Sequence, residues 1–117
     1  MPNEKHTGKQ PYIPLYIGDW ENDTNMLSLE AEAGWLKIIF KMFQNGKTGV
    51  YKISTKALQN LWRKSQEESI EIVKELLDAN VCIIEDKGKE YVFKNRRMMR
   101  QNEISEIRSK AVQNRYK

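Results

Sequence analysis

Between Leu29 and Gln44 the apolar positions follow a helical period in two parallel stripes. Leu29, Ala33, Leu36, Phe40 and Phe43 make one; Trp35, Ile38, Ile39 and Met42 make the other. One stripe suffices for a surface helix, so a helix with two is expected to be central or to contact a second chain. Ser28 is a good N-cap, Glu30 and Glu32 suit the positive end of the helix dipole, and Asn45-Gly46 is a stop signal. Val50-Tyr51-Lys52-Ile53 then reads as a short strand. Ser54 caps a second helix over Thr55 to Trp62, with Ala57, Leu58, Leu61 and Trp62 inward. After an Arg63-Lys64 joint, Ser65 and Glu68 form a capping box that opens a third helix to about Ala79. Its expected inward residues are Ile70, Val73 and Leu77, flanked by Ile72 and Leu76. Val81–Glu85 and Glu90–Lys94 are strands of a hairpin whose turn is Asp86-Lys87-Gly88-Lys89.

The ends of the chain follow different patterns. Residues 1–10 are polar and are expected to form a disordered tail. Pro11-Tyr12-Ile13-Pro14-Leu15-Tyr16-Ile17 reads as an extended strap, because its two prolines bar a central strand position. Gly18-Asp19-Trp20 is expected to break it, with a polar loop from Glu21 to Met26. After Asn95 a last, basic helix spans 96–117, with Ile104, Ile107 and Ala111 on one face. The chain ends inside that helix, as expected of an N-terminal piece of a longer protein.

The order helix, strand, helix, tight joint, helix, hairpin predicts a winged helix-turn-helix over residues 11–95. In fold class it is mainly α with a small β-hairpin. A hairpin alone is marginal in water, so it must dock on the helices. The residues also carry a family signature. Pro11–Trp20, Asp23-Thr24, Leu27-Ser28-Leu29-Glu30 and Gly34-Trp35-Leu36 resemble the N-terminal region of the YdaU-like prophage family. That resemblance implies a domain similar to the winged-helix regions of phage replisome organisers and DnaD-type primosome proteins. It further implies a replication-associated role in DNA binding or protein docking, and no catalytic residues. The match is specific over 11–46 and general, through element order, over 47–95. The glycine-rich repeat that often follows in the family is absent.

Composition narrows the chemistry. The 117 residues are 39% hydrophobic and 31% charged, with a mean hydropathy of −0.74, as expected of a soluble single domain. With no apolar run of membrane-spanning length and no signal-peptide pattern, a cytoplasmic location away from membranes is expected. Cys82 is the single cysteine and His6 the single histidine, which excludes an intramolecular disulfide and cysteine- or histidine-cluster metal sites. Cys82 reads as a small buried hydrophobe. Asp19, Glu21 and Asp23 are spaced like hard-cation ligands but lack the glycine and distal glutamate of a calcium loop, so no metal or other cofactor is assigned. No nucleophile or acid–base constellation can be assembled, and an enzyme is not expected.

The net charge of +4 conceals an asymmetry. Residues 87–117 hold ten Lys and Arg against three Glu, and residues 1–86 hold ten against thirteen acids. Such a basic edge on a mildly acidic body suits a polyanion partner. The third helix of a helix-turn-helix would enter the major groove, but Glu67, Glu68, Glu71, Glu75 and Asp78 against Lys74 alone make it unfit to face phosphates. The expected nucleic-acid-binding residues are instead Lys87, Lys89, Lys94, Arg96, Arg97 and Arg100, acting by salt-dependent contacts that ignore base sequence. The Tyr12–Trp20 aromatics could stack on single-stranded bases, but core packing is the simpler role. The leading expectation is thus a phage or prophage replication module that binds DNA non-specifically. The alternative is a degenerate winged helix that docks replication proteins or dimerises without touching DNA. Self-association is expected through Trp35, Ile38 and Met42, as a homodimer.

Overall fold

The computed structural model describes residues 16–46 and 48–115, and the side chains of 112–115 are outside that description. The expected tail and most of the strap, residues 1–15, lie outside the described residues. The elements are α1 (Ile17–Thr24), α2 (Leu29–Gln44), β1 (Val50–Ser54), α3 (Thr55–Trp62), α4 (Gln66–Asp78), β2 (Ile83–Asp86), β3 (Glu90–Lys94) and α5 (Arg96–Arg115). The fold is mixed, with five helices and one three-stranded antiparallel sheet of order β1-β3-β2 among the described residues.

Local chemistry places the helix ends. The Ser28 hydroxyl accepts from the Ala31 N–H at 3.1 Å, and the Ser54 hydroxyl accepts from the Ala57 N–H at 3.1 Å. The two glutamate oxygens of Glu75 in turn accept from the Ser28 N–H and from its hydroxyl, so α4 grips the start of α2. The α4 capping box is complete: Glu68 N–H donates to the Ser65 hydroxyl at 3.2 Å, and Ser65 N–H donates to the Glu68 carboxylate at 2.9 Å. That second bond holds the Glu68 carboxyl below the usual carboxylate range. Its stabilisation is present at neutral pH and is lost as pH falls through the depressed pKa. Replacing Ser65 with alanine is expected to cost about 1 kcal/mol, the usual loss for an N-cap serine. A denaturant midpoint equal to the parent's would show that the cap is not what fixes this helix start.

Both α3 and α4 end on a left-handed residue, Arg63 (φ 55°) and Asn80 (φ 56°). At each end paired backbone bonds close the last turn: Lys64 N–H to the Gln59 carbonyl and Val81 N–H to the Leu76 carbonyl are the longer loops. Asparagine suits that conformation and arginine is tolerated there. Val81 is therefore consumed by the helix ending, which is why β2 begins at Ile83 and not at the expected Val81.

The sheet has one face on the helices. Tyr51 and Ile53 of β1, Phe93 and Tyr91 of β3 and Ile84 of β2 share that face by register. Phe93 is fully buried against the edge of the Trp62 ring, 6.2 Å between centroids at 76°. The core continues through Ala31, Trp35, Ile38, Ile39 and Met42 of α2, Leu58 and Trp62 of α3, and Ile72, Val73 and Leu76 of α4.

Several expectations need correction. Residues 17–24 form a helix, not a break and a loop; Trp20 packs on the core and its indole N–H donates to Glu32 at 2.7 Å. Gly18, expected to break the chain, sits in open space where a helix tolerates it. On α4 the inward residues are Ser69, Ile72, Val73 and Leu76, while Leu77 is 44% exposed. Ala57 is exposed on α3. On α2 the expected self-association residues Trp35, Ile38 and Met42 are core of this single chain, with 4%, 0% and 0% exposure. They belong to the face that carries Ala31 and Gly34, whose small size lets neighbours approach. The surplus stripe is the other one.

Candidate nucleic-acid interface

The site expected from charge lies where the hairpin meets α5. Gly49 sets the junction. Its φ is +82°, its carbonyl accepts from Asn95 N–H at 2.7 Å, and a Cβ there would fall 3.0 Å from the Asn95 carbonyl oxygen and the Met99 backbone nitrogen. Only glycine fits both the conformation and the space. Asn95 then starts α5, its side-chain oxygen accepting from Met98 N–H at 3.2 Å.

The six expected cations do not form one open surface. Lys94 donates to Glu85 at 2.7 Å, and Lys87 lies 3.5 Å from the other oxygen of the same carboxylate. The Lys94 hydrogen bond, more than charge alone, holds the Glu85 carboxyl below its usual range. Arg96 donates to the Asn80 carbonyl at 2.6 Å and to the Asn80 side-chain oxygen at 3.3 Å. It thereby places a cation at the negative end of α4, a stabilising position. Arg97 reaches Asp23 at 3.5 Å and Asp19 at 3.8 Å, two carboxylates one turn apart on α1. Those two acids, expected as weak candidates for a cation site, thus face a guanidinium. Among the described residues no group of three or more metal-ligating side chains is assembled.

Lys89 and Arg100 remain exposed, with no ion pair among the described residues. Farther along α5 every residue from Glu103 to Ala111 is exposed, including Arg108 and Lys110. The cations expected from the sequence stop at Arg100, where the denser charge cluster nearer the hairpin ends. Glu103 and Glu106 share this stretch of α5, and neither forms an ion pair with Arg108 or Lys110. The third helix of the expected helix-turn-helix, α4, keeps its acids. Glu68 and Glu75 are used in capping, and Glu67, Glu71 and Asp78 stay exposed on α4. That face remains electronegative.

The expected stacking platform is divided. Trp20 is half-buried against the core and Tyr16 is 69% exposed, while Tyr12 lies outside the described residues. Among the described residues no helix is long and apolar enough to cross a membrane. Comparisons with family models, with curated proteins and with solved structures find no match to this chain.

Proposed function

We propose that the chain is a nucleic-acid-binding module of the winged helix-turn-helix type, related to the YdaU-like prophage family and serving phage or prophage replication. In this reading α3 and α4 are the helix-turn-helix, joined through the left-handed Arg63, and the β2–β3 hairpin is the wing. DNA is held by its phosphates and not by its bases. The observation that carries the reading is α5, a helix with six Lys and Arg against two Glu, exposed on all sides from Glu103 to Ala111, in which Arg100, Arg108 and Lys110 make no ion pair among the described residues. A polar helix with so little packing is marginal by itself, and a polyanion along it supplies the missing stabilisation. Lys89 at the hairpin tip adds a further contact.

The test is a salt series of anisotropy titrations with random duplex and random single-stranded oligonucleotides. Binding is expected to be weak, indifferent to base sequence and steeply salt-dependent. Reversing Arg100, Arg108 and Lys110 to glutamate should remove it; neutralising them to alanine should flatten the log–log salt slope by about 3, one unit for each phosphate held. Arg96 and Arg97 are unsuitable for this purpose, because reversing them would disturb Asn80 and the α1 carboxylates. Absence of binding at low salt would overturn the reading and leave protein docking in its place.

A further inference from the structure

The apolar stripe on the outer side of α2 has a regular spacing, with its last residue, Phe43, packed against the core. Leu29, Ala33, Leu36, Phe40 and Phe43 are separated by four, three, four and three residues, the alternation of a heptad seam. The structure leaves Leu29 84% exposed and Phe40 43% exposed, with Ala33 exposed and Leu36 half-buried between them. Charge flanks this seam unevenly. Glu30 and Glu32 lie in the first half of α2, Lys37 and Lys41 in the second. A second α2 laid parallel would call on Glu32 to meet the other copy's Lys37, but that carboxylate already accepts from the Trp20 indole. Laid antiparallel, it sets each Glu30 near the other copy's Lys37.

We infer that this face of α2 is a self-association surface, on which a second copy of the chain packs its own α2 antiparallel about a two-fold axis. The central layers pair Ala33 with Leu36 of the other copy, a small side chain against a large one. The outer layers pair Leu29 with Phe40. Both pairings occur twice by symmetry, as a self-complementary two-fold contact requires. Glu30 already meets Lys64 at 2.5 Å, yet its side chain stays 63% exposed and presents its charge outward. The seam lies on the side of α2 away from Trp35, Ile38 and Met42, so dimerisation leaves the core intact. This inference stands apart from nucleic-acid binding, since it uses no residue of α5.

Sedimentation equilibrium of the full chain, from low to high micromolar, tests it. The parent is expected to shift from monomer to dimer. Leu36→Glu and Phe40→Glu should each give monomer throughout while keeping the parent's circular dichroism spectrum. Because Leu36 is half-buried, the exposed Phe40 variant is the arm that tolerates the charge best. Lys37→Glu should weaken the dimer at least tenfold, and adding Glu30→Lys should recover most of that loss. A parent that stays monomeric at every concentration overturns the inference. So does a dimer that survives both seam variants, or a monomer that dimerises only when residues 1–15 are removed. Failure of the charge exchange to restore association overturns the antiparallel arrangement.

Discussion

Replacing Trp62 with alanine is expected to cost about 3–5 kcal/mol, the range for emptying a large aromatic site in a core. That is a large share of the roughly 5–15 kcal/mol that holds a domain together. Three observations place Trp62 at the centre of the fold. Its side chain is buried between α2 and the sheet, its ring meets the fully buried Phe93 edge-on, and its indole N–H donates to the Gly34 carbonyl at 3.0 Å. Gly34 is the complement of that ring. A Cβ at this position would lie 3.1 Å from both Cε2 and Nε1 of Trp62, closer than ordinary contact. In a helix interior alanine is normally better than glycine by about 1 kcal/mol. Here that gain meets an overpacking cost of about 1–3 kcal/mol, so Gly34→Ala should be neutral to destabilising in the parent. In a Trp62→Ala background the obstruction is gone and the same change should stabilise. Chemical denaturation of the four proteins in a double-mutant cycle reads this reversal of sign directly. A Gly34→Ala change that stabilises both backgrounds equally would mean that the ring does not press on this glycine.

The same pair shows what the sequence makes legible and what it hides. Backbone signals are local, so the caps at Ser28, Ser54 and Ser65 and the turn at Asp86–Lys89 place α2, α3, α4 and β3 at the expected residues. Which face a helix buries is not local. On α2 the Leu29–Phe43 stripe competes with the Trp35–Met42 stripe, which Ala31 and Gly34 extend, and the core takes the latter. On α4 the buried face runs Ser69, Ile72, Val73, Leu76, with a serine where a hydrophobe is sought. In both helices small side chains mark the face of closest approach, and a count of large apolar residues misses them. The candidate interface was obscured for a related reason. Charge counts locate Lys87, Lys94, Arg96 and Arg97, but only tertiary structure brings Glu85, Asn80, Asp19 and Asp23 to meet them. The lone cysteine was legible as a core residue from its apolar neighbours and small side chain, although the strand expected to carry it starts one residue later, at Ile83.

That cysteine has the largest expected pH effect among the described residues. Cys82 is 3% exposed, and burial pushes its thiol up to about 12, against 9.0 for a free thiol; nearby Arg96 pulls in the other direction and is outweighed. The group is neutral when protonated, so the folded state resists its ionisation and the unfolded chain does not. Its contribution to stability is therefore fully present below about pH 9 and is lost as pH rises toward the folded value. Well above the unfolded thiol's own pKa each pH unit removes about 1.4 kcal/mol, so about 2 kcal/mol is lost between pH 9 and pH 11. Tyr91, raised by burial, and Lys64, raised by its hydrogen bond to Glu30, lose stability with the same sign. Both remain in Cys82→Ala, so the difference between parent and variant isolates the thiol. At neutral pH the variant should be the less stable, by the small cavity it leaves. Urea midpoints followed by far-ultraviolet circular dichroism should then converge and cross as pH rises, with the parent falling faster. Parallel pH curves for the two proteins would mean that the thiol ionises as readily in the folded chain as in the unfolded one, and that Cys82 is not sealed beneath α4 and the sheet.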